Sequence, residues 1–393
     1  MNNQFKLKNK KIKPVSILII LFVGFLFLIS LIGFIFTSFY TIDLKLAIFF
    51  EKGFEYEIVR YWSIFYDILG TTELIVFLLF NIMVLIESWF LLKSKTKKDN
   101  FWKKNKWILK LVYITVYVVF VVIKCITTYF KINADNGFGY GGDAIYLLSS
   151  KYRNICLIVS LVIHCIGLFV GFYIIHYKFK NDPSYLVDKY WIQAVKILFI
   201  VLISYTILVL LKGMTSRPYY YNIIYGDLLK QVKLNGHNDW VDHYLNQSTF
   251  KHGFNIGDNK YANNIPGEWP WYRINGCLFR PDKNLVQFKH WFDWAFPSGH
   301  IGATLIVGCT FFYFLTNNQK LTPLKITLLG LYFLHLVSMS FAIVVNRGHW
   351  ISDVTFTYLW LLPLIFLTHF LSLKILVIKN TRNIVKKSKT SNC

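Results

Sequence analysis

The sequence predicts an all-α, polytopic membrane protein of about eight transmembrane helices, and three observations predict it. First, the chain is more apolar than a soluble domain, with 55% hydrophobic and 19% aromatic residues and a mean hydropathy of +0.44. Second, its apolar residues gather into runs near 15–38, 72–92, 107–130, 154–177, 191–211, 300–317, 324–345 and 351–378. Each run is close to the roughly 20 residues an α-helix needs to cross a bilayer. Third, its charge is patterned by position. The 43 Lys and Arg against 20 Asp and Glu leave a formal net charge of +23, and the basic clusters recur after every second run.

Those clusters are Lys6 to Lys13, Lys93 to Lys106, Lys178 with Lys180 and Lys189, Lys320 with Lys325, and Lys379 to Lys389. Lys and Arg are retained on the cytoplasmic side of a membrane. The pattern therefore places both termini in the cytoplasm, and segments 39–71, 131–153, 213–297 and 346–350 on the opposite face. No helix-turn-helix, zinc-finger or RNA-binding signature accompanies the charge, so nucleic acid is not an expected partner.

Taken in order, the run Val15 to Phe36 follows basic residues as a signal peptide would, but it is too long and has no small-residue cleavage site. It reads as a retained first span. The first two spans and the basic linker 93–106 look separable from the rest, which divides the chain into 1–106, 107–378 and a basic tail 379–393. Cys125, Cys156, Cys165 and Cys309 lie in apolar runs, Cys277 in a loop and Cys393 at the end, so no disulfide framework or metal-binding Cys pair follows. Segment 213–297 is long for a loop between spans and carries Tyr219 to Tyr221, Trp240, Trp269, Trp271, Tyr272, Trp291 and Trp294. Tyr and Trp favour the headgroup level. The loop is expected along the outer membrane surface as interfacial helices or a lid, or more plainly as an inert loop with an aromatic belt.

Chemistry-bearing residues cluster where spans meet that face. Pro297-Ser298-Gly299-His300 opens the sixth run and reads as a helix N-terminus, whose unpaired N–H groups and dipole attract an anion such as phosphate. The same residues also make an ordinary N-cap. Lys212 and Arg217 end the fifth run, across one loop. Arg347-Gly348-His349 and Asp353 open the eighth, two crossings later, so all three stretches share one face. His349 and Asp353 are four apart, so on a helix the carboxylate holds one ring nitrogen as a donor and leaves the other to attack phosphorus. Lys212, Arg217, Arg347, the Ser298 hydroxyl and the Gly299 amide are suited to neutralise the transferred oxygens. His300 is suited to protonate the leaving group and then activate water. No carboxylate cluster is present to hold Mg²⁺, so neither metal nor other cofactor is expected. Each piece has a plainer reading, a surface ion pair for His349 and Asp353 or a headgroup anchor for Lys212 and Arg217. Their combination on one face is what points to phosphoryl transfer.

These residues resemble the type 2 phosphatidic acid phosphatase superfamily of membrane lipid phosphate phosphatases. Its pattern runs Lys-x6-Arg-Pro, Pro-Ser-Gly-His and Ser-Arg-x5-His-x3-Asp on a six-helix core. The second motif is complete at Pro297 to His300, the third keeps His349 and Asp353, and Trp269-Pro270-Trp271-Tyr272 is similar to bacterial members. The first motif here is Lys212-x4-Arg217-Pro218, with Tyr219 at the usual arginine place. In the third, Ala342-Ile343 replaces Ser-Arg and Arg347 lies two residues before the histidine. A rival first motif, Arg273-x6-Arg280-Pro281, lies deep in the loop.

The resemblance covers roughly residues 107–378 and implies a six-helix phosphatase-like core. It also implies an integral membrane, metal-independent phosphatase acting through a phosphohistidine on a phosphomonoester or pyrophosphate of a membrane lipid at the extracytoplasmic face. The implied substrates are phosphatidate, phosphatidylglycerol phosphate or an isoprenyl diphosphate, entering laterally between helices. A phosphotransferase with an alcohol acceptor and a non-catalytic lipid-binding or lipid-moving protein are the alternatives.

Overall fold

The computed structural model describes residues 14–95, 101–133, 150–178, 181, 190–224, 231–239, 242, 270–272, 274, 294–316 and 321–390. Among these residues all regular structure is helical. The sites named at Lys6 to Lys13, Lys180, Lys189, Trp240, Trp269, Arg273, Cys277, Arg280, Trp291 and Lys320 lie outside them.

The helices follow from the apolar runs. They are α1 (Pro14–Thr37), α2 (Tyr40–Glu51), α3 (Glu57–Lys95), α4 (Trp107–Asn133), α5 (Ser150–Tyr173), α6 (Tyr190–Thr215), α7 (Gly299–Val307), α8 (Phe311–Thr316), α9 (Pro323–Val345) and α10 (Ile351–Thr390). Among the described residues seven stretches are long and apolar enough to cross a membrane, in α1, α3, α4, α5 with its continuation to Lys178, α6, α9 and α10. The expected eighth, 300–317, is shorter, with an apolar helix over Gly299–Tyr313 interrupted by a 3₁₀ turn at Gly308–Thr310. The protein is thus an all-α multi-pass membrane protein. Its outward faces are apolar, as at Leu21, Phe25, Ile126, Phe169 and Leu202, which suits lipid, where backbone polar groups must be satisfied inside helices.

The central core differs from the one expected at 107–378. A single buried cluster takes Leu26 from α1, Leu74 and Phe77 from α3, Ile197 and Ile200 from α6, Ile301 and Leu305 from α7, Leu336 and Met339 from α9, and Val354 and Leu361 from α10. Neither α4 nor α5 contributes to it. α1 lies along α10, while α3 packs on α5, α6, α7 and α9. The first two spans, expected to be separable, are therefore core members. The hairpin α4–α5 lies outside that cluster and packs on α3. The reason is visible in polar pairing as well as in apolar contact. Glu87 of α3 accepts the Tyr113 hydroxyl of α4 at 3.0 Å, and His176 Nδ1 lies 3.0 Å from the same oxygen. Lys124 of α4 donates to the Thr72 hydroxyl at 3.2 Å. These buried polar groups thus fasten helices together.

Ends are also set locally. Thr322 caps α9 by accepting the Lys325 N–H, with Pro323 in the first turn. α3 departs from helical geometry at Gly70. Residues 57–71 precede the apolar span of α3, and α3, α6, α9 and α10 pack on α7.

Glu87→Ala removes the acceptor shared by Tyr113 and His176, at a cost of about 1–3 kcal/mol for the buried donors left behind. The expected outcome is a lower thermal midpoint of the detergent-solubilised protein, with the groups around His349 untouched.

Candidate active site

Three sequence-distant stretches are stitched together by backbone hydrogen bonds. The Arg217 carbonyl accepts the Ala295 N–H at 2.8 Å, which joins the end of α6 to the segment entering α7. The Arg347 carbonyl accepts the Tyr221 N–H at 2.9 Å, and the Trp350 indole donates to the Pro218 carbonyl at 2.9 Å. Both α6 and α9 end on a non-glycine residue in the left-handed region, Ser216 at φ 45° and Arg347 at φ 65°. Such turns redirect the chain sharply after a helix end.

His349 is 1% exposed and lies in the short turn between α9 and α10, its N–H donating to the Ile343 carbonyl at 2.9 Å. Its Nδ1 is 3.3 Å from Asp353 Oδ2. That oxygen also accepts the Trp350 N–H at 3.0 Å. This is the reciprocal half of a capping arrangement, an acidic side chain in the first turn reaching back to the cap N–H. Asp353 Oδ1 accepts from Arg217 at 2.7 Å. The carboxylate is thus held on both oxygens, which fixes the ring it faces. Burial pushes the His349 pKa down to about 4, against the raising effect of Asp353 and reinforced by Lys212 and His300. The imidazole is consequently neutral at pH 7, the form that carries a free nitrogen lone pair.

Ser298 is fully buried as the N-cap of α7. Its hydroxyl accepts the Ile301 N–H at 3.4 Å, and its own N–H donates to the Thr357 hydroxyl at 2.9 Å. At Gly299 a Cβ would meet nothing within 4 Å, so the helix N-terminus opens onto free space. The His300 ring lies with its centroid 6.0 Å from that of His349. Lys212 is buried and donates to the Trp294 carbonyl, with its ammonium 5.8 Å from the Tyr219 ring centroid. Tyr219, at the place of the family arginine, packs edge-on to His349 at 5.3 Å. Trp271 stacks on Phe296 at 5.7 Å and on Phe356 at 5.8 Å, an aromatic brace under the residues that enter α7.

The two arginines are placed differently from the open phosphate ligands expected. Arg217 is 1% exposed, and its guanidinium spans Asp353 at 2.7 Å and Asp43 at 2.9 Å, with Ser352 Oγ at 2.5 Å and the Trp350 ring 4.5 Å away. A rigid five-donor fork suits this double engagement, which an ammonium would not reproduce. Arg347 has its Nε 3.3 Å from Glu51 and its guanidinium 5.1 Å from the Phe54 ring centroid.

Two acidic residues were missed from sequence. Asp43 of α2 is fully buried, accepting from Arg217 and from the Ser352 hydroxyl and N–H. Asp67 of α3 has Oδ1 3.5 Å from His300 Nε2, the two side chains being 21% and 20% exposed. Both lie in segment 39–71, and its predicted shared face with the motifs was the one available signal. Gly70 completes this arrangement, because a Cβ there would fall 2.3 Å from the His300 ring.

The fold and the site define a multi-pass membrane protein with a carboxylate-held histidine, a second histidine and a helix N-terminus at one end of its bundle. A model of the PAP2 superfamily matches residues 256–373, which include Ser298, Gly299, His300, His349 and Asp353 but not Lys212 or Arg217. Over those residues the chain belongs to the PAP2 superfamily, a phosphatase superfamily. A protein named "Uncharacterized protein" from Mycoplasma capricolum subsp. capricolum (strain California kid) is 98% identical over 370 residues, 94% of this chain and 96% of that one. No solved structure matches.

Gly70→Ala is expected to displace the His300 ring, because the new methyl occupies its space. Activity should fall by about tenfold or more while the thermal midpoint changes little, read by phosphate release and by thermal unfolding of the same preparation.

Proposed function

We propose that the protein is an integral membrane lipid phosphate phosphatase that cleaves a phosphomonoester or pyrophosphate through a phosphohistidine on His349. The observation that carries this reading is the His349 ring, neutral and buried, with Nδ1 on a carboxylate that Arg217 and the Trp350 N–H both hold. The Nδ1 contact leaves Nε2 to attack. A P–N bond forms as the P–O bond to the leaving group breaks, and its electron pair departs on that oxygen. His300 supplies the proton to the leaving oxygen, then takes one from water as water attacks phosphorus and releases Nε2.

Asp353 is the orienter of the nucleophile, and Asp67, with Oδ1 3.5 Å from His300 Nε2, orients the second ring. The α7 N-terminus at Ser298 and Gly299, together with Lys212, favours the phosphoryl oxygens. Arg217 serves as a positioning residue for Asp353, a role different from the direct phosphate contact the motif implies. Arg347 adds positive potential near Glu51. The chemistry assigned to these side chains needs no metal. The site faces the extracytoplasmic side in this reading, on the strength of the Lys and Arg distribution.

The engaged arginines favour one second reading, a lipid-binding protein without turnover. Phosphate release by purified protein separates the two. Wild type is expected to release phosphate from a panel of phosphorylated lipids, and His349→Ala to lose at least about 10³-fold, as removal of a nucleophile does. Equal release by both would remove His349 from the chemistry, and no release by either would favour binding alone.

The pH dependence follows from the same burial. With the His349 pKa lowered from 6.5 to about 4, the nucleophile stays neutral as pH falls through 6. The acid limb of kcat/KM that belongs to it is expected near pH 4, measured with a substrate whose phosphate ionisation is accounted for separately. Folding follows the same sign. The unfolded chain protonates this histidine first, so its contribution to stability is present above about pH 6.5 and is lost as pH falls toward 4.

A further inference from the structure

A groove of about 400 Å³ lies between the two helices of the hairpin α4–α5, and every residue lining it comes from α4 or from α5 and its continuation to Lys178. Tyr113 and Phe172 are buried at its floor, while Ile114, Phe169, Tyr173 and Tyr177 are exposed along its edges. The rings pair in antiparallel register, Tyr113 with His176 at 5.1 Å and Phe172 at 5.2 Å, and Tyr117 with Phe169 at 5.9 Å. Extending that register toward the helix ends brings Lys110, which itself lines the groove, opposite Lys178.

This is the end of the bundle far from His349. Tyr113 and His176 both bond Glu87, and Glu87 is roughly 25 Å along α3 from Gly70, against which the His300 ring rests, at 1.5 Å per residue. On the Lys and Arg distribution it is the cytoplasmic end.

Two features select an occupant. The first is charge. Lys110 and Lys178 are exposed, and neither is paired with a carboxylate among the described residues. Neither 107–133 nor 150–178 contains an Asp or Glu. The carboxylate behind the floor, Glu87, is buried and bonded by Tyr113 and His176. A negatively charged head at the level of the two lysines is therefore attracted, with no acid on the rim to oppose it. The second feature is where the groove opens. Its edges are apolar and aromatic side chains on the outward surface of a hairpin long enough to span a membrane. From Lys110 to Tyr117 it follows the helix for roughly 10 Å, within the roughly 15 Å of hydrocarbon in one leaflet. A lipid of that leaflet enters sideways, its head at the lysines and the upper part of one chain between Ile114 and Phe169.

We propose that this groove binds one anionic phospholipid of the leaflet opposite the candidate active site, with its phosphate at Lys110 and Lys178. The site is separate from His349 and does not depend on the phosphatase reading. Because Tyr113 and His176 also bond Glu87 of α3, a lipid seated on them rests against the residues that fasten the hairpin. Binding therefore favours the docked hairpin, as any ligand of the folded state stabilises it.

The full-length protein in detergent would be photolabelled with a phosphatidylglycerol that carries a diazirine on its acyl chain. Unlabelled phosphatidylglycerol, phosphatidylcholine and inorganic phosphate would serve as separate competitors. The expected result is saturable labelling within 113–117 and 169–173, competed by phosphatidylglycerol and by neither of the others. Lys110→Gln with Lys178→Gln is expected to weaken labelling about tenfold or more. Lys131→Gln with Lys151→Gln removes as much charge from the other end of the hairpin and is expected to leave it unchanged. All four lysines are exposed, so both double variants should keep the wild-type thermal midpoint without lipid. Added phosphatidylglycerol should raise that midpoint in wild type and in the Lys131 and Lys151 variant, but not in the Lys110 and Lys178 variant.

Labelling that phosphatidylcholine competes equally, or that spreads over the outward faces of α1 and α6, reduces the groove to ordinary surrounding lipid and overturns the proposal. Competition by inorganic phosphate overturns the lipid as occupant. Labelling that survives in the Lys110 and Lys178 variant overturns the assignment of the head.

Discussion

The site depends on one buried guanidinium. Arg217 leaves the end of α6 and pairs with Asp43 of α2 and Asp353 of α10, with all three side chains shut away from water. A buried charge without a partner costs several kcal/mol, so the three helices that supply these groups are held in a single relative placement. Because Asp353 in turn faces His349, the pairing that organises the bundle end also sets the direction of the His349 ring. Ser352 sits between the two carboxylates and donates to Asp43, so consecutive residues at the start of α10 serve both sides of the arginine.

Two histidines meet at this end under different controls. His349 takes its carboxylate from its own helix start, four residues on, which is a local relationship. His300 takes Asp67 from α3, a partner more than 200 positions earlier, and its ring needs the side-chain-free surface at Gly70. The first is buried and held neutral, while the second is partly exposed beside an acid. Environments that differ in this way suit a nucleophile and a proton carrier respectively.

The hairpin α4–α5 is fastened to the core through α3 by Glu87 and by apolar contacts between Phe80, Phe172 and their neighbours. Its docking turns one face of α3 from a lipid-exposed surface into the wall of a cleft. A peripheral pair of helices thereby forms a cleft without supplying any residue to the sequence motifs. α1 lies along α10 and α3 packs on α7, and both contribute to the central cluster that the hairpin does not enter.

Several features were legible in the residues alone. Apolar runs of bilayer length set the helical type and the places of seven of the eight expected spans, because an uninterrupted apolar stretch in lipid has to satisfy its backbone internally. The adjacency of Ser298, Gly299 and His300 at a helix start, and of His349 and Asp353 one turn apart, follows from helical geometry without reference to any other part of the chain. Tertiary structure alone decided which spans form the core, what Arg217 and Arg347 touch, and that Asp43 and Asp67 belong to the site. Helix periodicity describes one helix at a time, and hydropathy does not say which lipid-length helix lies beside which. The arginines' long side chains reach several ångströms in many directions, so only the packed neighbours determine whether a guanidinium meets a carboxylate or opens toward phosphate.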